Sequence, residues 1–324
     1  MTGNGSSLWW YTAGASVRGS SHVAANRPNE DAWAATPPGP VAVVCVADGH
    51  GSHRSCRSGE GARAAADLAI EVVAPLAAHA GSPAGLEGVL RSAAATIVER
   101  WQAQVVAHAR ANPFTADELA AIGAAEPNAA ESMLAYGTTL ALVCGTEHAL
   151  GFVAIGDSDV VAVHADGSTV VSPLPVDPAN IGNFTSSLAQ TDALAHVRVA
   201  TIDLAAQPAL LAWASSDGYG GAFVDDRWWE QVGRDLAERV RRLTPAEIAE
   251  RIPGWLEEPA AVAGDDTTMA VLLAQAGQPA APPVPPPEPA PPVSKAARAG
   301  YILLLVVLGA LAVGIGFAVG TALR

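Results

Sequence analysis

Short apolar runs that stop abruptly at aspartate recur along this chain, and they constrain its fold more than any other feature. The run 41–47 stops at Asp48-Gly49-His50-Gly51, the run 210–216 stops at Asp217-Gly218, and Gly264-Asp265-Asp266 opens a further run at 267–273. Other short runs rich in β-branched residues occupy 8–17, 138–144, 150–155, 160–164, 197–204 and 209–214. Their lengths and their Gly, Asp, Ser and Pro boundaries predict strands. Several follow one another directly, as in 138–172, which predicts antiparallel hairpins rather than a strand–helix–strand wind. Two longer stretches have helical spacing: Ala62, Ala66, Ala69, Val73 and Leu76 within 59–78, and Leu86, Leu90, Ile97, Trp101 and Val105 within 86–111. Both predict amphipathic helices. Further helices are expected from near Asp225 to before Thr244 and over 245–256.

The same pattern ends near residue 275. Beyond it nine prolines crowd into 279–292, a run that cannot supply helix or ladder donors and favours an extended polyproline spacer. After Lys295 and Arg298, residues 301–323 carry no charge. A helix of that length reaches about 34 Å, enough for a hydrocarbon core of about 30 Å. The expected organisation is therefore a domain at 1–275, a Pro-rich linker at 276–294, a basic juxtamembrane segment at 295–300 and a transmembrane helix at 301–323. Positive charge precedes that span, which places the N-terminal part on the cytoplasmic side. Gly316 and Gly320 make a GxxxG in the span, a pattern that can pair helices.

Charge excludes one large class of partner. The net charge is −14, and Lys295 is the single lysine among 18 basic residues; no nucleic-acid binding is expected of such a chain. Cys45, Cys56 and Cys144 form no CxxC pair, so neither a disulfide framework nor a zinc ribbon is expected.

The acidic residues at strand ends are Glu30, Asp31, Asp48, Asp157, Asp217 and Asp265. One aspartate beside glycine is an ordinary turn. A set brought together and buried repels itself unless a hard cation neutralises it, and oxygen donors favour Mg²⁺ or Mn²⁺ over zinc. Two such ions can depress the pKa of a water and aim it at phosphorus, so the chemistry suggested is phosphoester hydrolysis.

In sequence order, PNEDAW, VADGHGS, YGTTLALV, GFVAIGDSD, WASSDG and GDDTTMAVLL resemble the motifs of the metal-dependent protein phosphatases, the type 2C serine/threonine phosphatases, across residues 10–275. The opening AGASVRGSSHVAANRPNEDAW is most similar to a bacterial subgroup. The resemblance implies an α+β fold: a four-layer αββα sandwich of two antiparallel sheets flanked by helices, with a metal centre at one end. It implies two or three Mn²⁺ or Mg²⁺ ions, phosphorylated protein substrates, and attack by a metal-bridging water. Position by position, Asp48 would bridge the metals, the Gly49 carbonyl would ligate one, and Asp217 and Asp265 would hold the first. Glu30 and Asp31 would serve the second through water or by orienting its ligands, and Asp157 a third. His50 falls at the place of a general acid.

Two positions depart from the family pattern. The phosphate-binding arginine expected four residues before Glu30 is Asn26, with Arg27 one step later, and His22 or Arg18 as other basic residues on that segment. The arginine of GDSR is Asp159. Two other readings stand beside the enzyme: a pseudophosphatase that binds phosphoprotein without turnover, and a hydrolase of a small phosphoester.

Overall fold

The computed structural model describes residues 8–179 and 185–276, and they build two antiparallel five-stranded sheets. The first contains β1 (Leu8–Val17), β10 (Thr267–Ala276), β9 (Ala209–Ser215), β6 (Asp159–His164) and β7 (Val170–Val171), in that spatial order. The second contains β2 (Ala32–Ala35), β3 (Ala42–Ala47), β4 (Leu140–Gly145), β5 (Ala149–Ile155) and β8 (Arg198–Asp203).

Side-chain alternation explains why the strands read as unbroken apolar runs. In β3, Ala42, Val44 and Val46 face the other sheet, while Val43, Cys45 and Ala47 face helices α2 (Ser58–Ala77) and α3 (Pro83–Ala111). In β10, Ala270 and Leu272 point between the sheets, and Met269, Val271 and Leu273 meet α8 (Pro245–Ala263) and α7 (Trp228–Val240). A strand covered on both faces gains from apolar side chains at every position. The middle layer is filled by Trp10, Val44, Val143, Phe152 and Leu272, all fully buried. The result is the helix–sheet–sheet–helix order that the resemblance implied.

Antiparallel register gathers chemistry at one end. Ala47 pairs with Ala32, Val46 with Ala141, Leu140 with Ile155, Ser215 with both Asp159 and Met269, and Ser16 with Thr268. The ends of β1, β3, β5 and β9 thus lie beside the starts of β2, β4, β6 and β10, and the acidic turns share one edge of the sandwich.

Short elements escaped the sequence reading: β2, β7, and the helices α1 (Ser20–Ala24), α4 (Ala116–Ile122), α5 (Ala129–Leu134) and α6 (Asp217–Gly220). At two to seven residues they hold too few positions for a period to register. The last helix, expected to stop at 256, runs to Ala263 through Pro253 and Pro259. Each proline removes a backbone donor, but Ile248, Ile252, Leu256 and Ala260 keep four-residue spacing and are buried against the sheet. The linker, the basic segment and the apolar run at 301–323 lie outside the described residues. Among the described residues no helix is long and apolar enough to cross a membrane.

One clamp ties the helical layer to the acidic edge. Arg57, which precedes α2, donates to both carboxylate oxygens of Glu118 at 2.7 and 2.9 Å, to the Asn112 carbonyl at 2.7 Å and to the Tyr136 hydroxyl at 2.9 Å. Its guanidinium lies 4.2 Å from the Phe114 ring centre. Gly61 lets α2 approach this region, since a Cβ there would fall 1.9 Å from the Tyr136 carbonyl oxygen. Hydrogen bonds from Arg57 hold the Glu118 carboxyl down at about 2, against an ordinary value of 4.5. A depressed carboxyl stabilises the fold above its unfolded pKa and loses that contribution as pH falls through the folded value. Glu118→Gln should therefore remove stability at pH 7 but little at pH 2, flattening the acid limb of urea-denaturation stability between about pH 4.5 and 2.

Candidate active site

The turn after β3 is fastened before it carries any function. The Asp48 carbonyl accepts from the Thr139 amide at 2.9 Å and the Thr138 hydroxyl at 2.8 Å, and the His50 amide donates to the Gly137 carbonyl at 3.0 Å. A Cβ on Gly137 would sit 2.6 Å from the His50 ring, and one on Gly49 would sit 2.4 Å from the Glu30 carbonyl oxygen. Both glycines are needed because backbone or ring approaches too closely for any side chain.

Asp48, His50, Asp157, Asp217 and Asp265 line one cleft of about 350 Å³. They come from the end of β3, the β5–β6 turn, the N-terminus of α6 and the turn before β10. Larger hollows of about 450 and 540 Å³ lie elsewhere and gather no comparable set of carboxylates. Thr185 joins the cleft lining and donates its hydroxyl to Asp157.

The Asp265-Asp266 pair divides by exposure. The Asp265 side chain is 55% exposed and the Asp266 side chain 2%. Asp266 accepts from the Gly19 amide at 2.8 Å and the Glu30 amide at 2.6 Å, and its carboxylate lies 2.8 Å from Nδ1 of the buried His22. Asp266 therefore fixes the opening segment and the acidic segment to each other, and Asp265 is left facing the cleft. Glu30 and Asp31 stand behind the cleft rather than on it. Glu30 pairs with Arg27 at 2.6 Å, and Asp31 accepts from the Thr268 hydroxyl at 2.7 Å.

Arg27 is brought near the cleft by a backbone turn. Asn26, two residues past the end of α1, adopts a left-handed conformation with φ of 52°, which asparagine tolerates better than most residues. The chain turns there, and the Arg27 guanidinium nitrogens lie 3.6 and 3.7 Å from the position of a Cβ on Gly51, a cleft residue. Arg18 is turned to a structural contact, donating to the Arg27 carbonyl at 3.2 Å.

Electrostatics set the character of the site. Burial pushes the carboxyls of Asp31, Asp48 and Asp217 above their ordinary values. For Asp48 the neighbouring charges of Asp31 and Asp217 add to burial, and for Asp217 those of Asp157 and Asp265 do so. Asp48 and Asp217 also act on each other across the cleft. Burial also lowers His50, with Asp157 opposing it.

Among the described residues no three His, Cys, Asp or Glu side chains close into a cage around one ion. The donors nonetheless suit Mn²⁺ or Mg²⁺. They are all oxygen, they carry excess negative charge, and a hard, hydrated ion needs only one or two carboxylates with water completing its shell. Sequence reasoning missed Thr185, Asp266 and the anchoring role of His22. Asp266 was legible as the second acid of GDD, whereas Thr185 carries no local signal.

A carboxyl raised in the folded state favours folding at low pH and loses that advantage as pH rises toward its folded pKa. Metal-free protein should thus carry a stability deficit at pH 7.5 that comes from Asp31, Asp48 and Asp217. We expect Asp48→Asn to raise the thermal midpoint of EDTA-treated protein at pH 7.5 and to shrink the rise that Mn²⁺ produces in the unsubstituted protein. A full Mn²⁺ response in Asp48→Asn would remove Asp48 from the metal site.

A family model described as protein phosphatase 2C matches residues 18–257. No curated protein matches the chain. Among solved structures, PppA, a key regulatory component of T6SS in Pseudomonas aeruginosa, aligns with a TM-score of 0.51 at 17% identity, covering 82% of this chain and 98% of its own. Serine/threonine phosphatase Stp1 from Staphylococcus aureus aligns with a TM-score of 0.51 at 13% identity, covering 82% and 94%. At these identities the likeness is one of fold.

Proposed function

We propose that this chain, which belongs to the protein phosphatase 2C family, is a membrane-tethered, divalent-metal-dependent serine/threonine phosphoprotein phosphatase acting on phosphoserine and phosphothreonine at the carboxylate cleft. The observation that carries this reading is the convergence of Asp48, Asp157, Asp217 and Asp265 from four separate turns onto one cleft shared with His50.

Two ions of Mn²⁺ or Mg²⁺, when bound, supply an acidified water and a positive field for the phosphoryl oxygens. Asp48, Asp217 and Asp265, with the Gly49 carbonyl, are the groups that would hold them, and Asp157 would serve a third. Glu30 and Asp31 orient the site from behind, through Arg27 and Thr268. Arg27 binds the substrate phosphate, held in aim by Glu30; a guanidinium offers paired donors that fix orientation as well as charge. His50 is placed to protonate the departing serine or threonine oxygen, a general-acid role suited to imidazole.

Tethering rests on sequence: the uncharged run at 301–323, the basic residues before it and the Pro-rich spacer support a single span with the catalytic domain on the cytoplasmic side. Cleavage of the domain by protease added to inside-out vesicles is expected, and protection there would overturn the orientation.

Phosphate release from a phosphothreonine peptide should require Mn²⁺ or Mg²⁺ and stop with EDTA. Asp217→Asn should abolish it. Arg27→Ala should raise KM at least several-fold with Mn²⁺ affinity unchanged, because the contact is made in the bound ground state. Full activity in EDTA would sink the metal mechanism, and an unchanged KM would remove Arg27 from the phosphate site.

A further inference from the structure

The Tyr136 hydroxyl is held from two sides. Arg57 donates to it at 2.9 Å, and Nδ1 of His108 lies 2.7 Å away. A guanidinium can only donate, so the Tyr136 oxygen accepts from Arg57 and its own hydrogen points at His108. A ring nitrogen that accepts carries no hydrogen. The chain Arg57–Tyr136–His108 is therefore complete only with a neutral imidazole whose hydrogen sits on Nε2. The two rings meet edge to face with centroids 5.6 Å apart, and Tyr136 is buried.

A proton added at Nδ1 breaks that order. The imidazolium presents a second donor to an oxygen already taken by Arg57, the Tyr136 hydrogen loses its acceptor, and two cations flank one hydroxyl. Charge also offers the ring another place. His108 is exposed on the last turn of α3, and it shares a hollow of about 150 Å³ with Glu60, Arg63 and Asp67 of α2. Two acids against one base, together with the C-terminal end of the α3 dipole, attract an imidazolium. Glu118 is committed to Arg57 and does not compete. Protonation thus exchanges the Tyr136 contact for the carboxylates of the hollow.

Tyr136 leads directly to the catalytic turn. The Arg57 amide donates to the Ala135 carbonyl at 2.8 Å, and the Gly137 carbonyl accepts from the His50 amide at 3.0 Å. There is no slack at this step, because a Cβ on Gly137 would fall 2.6 Å from the His50 ring. We propose that His108 is a positioning residue: in its neutral form it holds Tyr136, and through Gly137 it holds the backbone and ring of His50, so that protonation of His108 lowers turnover. This rests on the reading of His50 as the general acid of a phosphatase site. His108 itself lies outside the cleft lining.

The test is the pH profile of kcat on a phosphothreonine peptide, at saturating Mn²⁺, with the full-length protein. Wild-type kcat should fall at least tenfold from pH 7.5 to 5.5, a range in which imidazole changes charge. His108→Asn puts an amide oxygen near the place of Nδ1, an acceptor that does not titrate in this range. It should stay within threefold of wild type at pH 7.5 and shrink the fall to pH 5.5 at least threefold. His108→Leu removes the acceptor and should lower kcat at least fivefold at pH 7.5, with KM and Mn²⁺ affinity within threefold of wild type. In a Tyr136→Phe background, His108→Asn should alter the profile less than twofold. A histidine that merely packed α3 would change thermal midpoints and leave the profile alone. Nitrogen-15 spectra of histidine-labelled protein read the same coupling without turnover: His108 should be the Nε2–H tautomer at pH 7.5, and the His50 ring signals should follow its titration in wild type but not in Tyr136→Phe. An Nδ1–H tautomer at His108, or a His108→Asn profile that matches wild type, would overturn the proposal. A wild-type protein inert toward phosphothreonine would instead sink the phosphatase reading, leaving the ring spectra to decide on His108.

Discussion

Mutual repulsion among buried carboxylates is the constraint around which the acidic end of this sandwich is organised. Asp31, Asp48 and Asp217 are each pushed toward the protonated form by burial, and each lies in the field of further acids. A fold optimised only for stability would not place them together. The molecule tolerates the arrangement by spending polar groups on it. The Thr268 hydroxyl faces Asp31, the Thr185 hydroxyl faces Asp157, and two backbone amides with His22 surround Asp266. What remains uncompensated is the charge on the cleft surface, which a hydrated divalent ion would balance. Local instability and function are here one property.

The scaffold that bears this load is conventional in its physics. Two sheets share a middle layer of fully buried side chains, and each sheet's outer face is closed by helices. Antiparallel register then does the geometric work, because strand ends and strand starts from distant parts of the chain fall at one edge. The clamp around Arg57 extends this rigidity to the helical layer. It reaches α4 through Glu118 and the Tyr136-Gly137-Thr138-Thr139 segment through the Tyr136 hydroxyl, and that segment in turn fixes the backbone of Asp48 and His50. A cleft residue is thus held by several layers of contact, as a site that must position a phosphoryl group requires.

The opening segment departs from the pattern that the resemblance implied. Asparagine at 26 supplies a left-handed turn, and arginine one residue later reaches the cleft wall. The cation thus comes from a neighbouring position and not from the one that the resemblance implied.

Much of this was legible in the sequence. The long strands and the two long helices declare themselves through run length and period, because each has enough residues for burial to imprint a pattern. The cleft acids Asp48, Asp157, Asp217 and Asp265 declare themselves by interrupting apolar runs at glycine-rich turns. The sequence determined which acids stand at the strand ends, since a carboxylate at a strand end is a local fact. Tertiary structure alone decided their arrangement: Asp265 faces the cleft while Asp266 is buried as an anchor, Glu30 and Asp31 stand behind, and Thr185 arrives from a segment with no motif. The reason is that repulsion and its relief depend on distances through space. Those distances exist only once two sheets have packed and brought remote turns to a common edge.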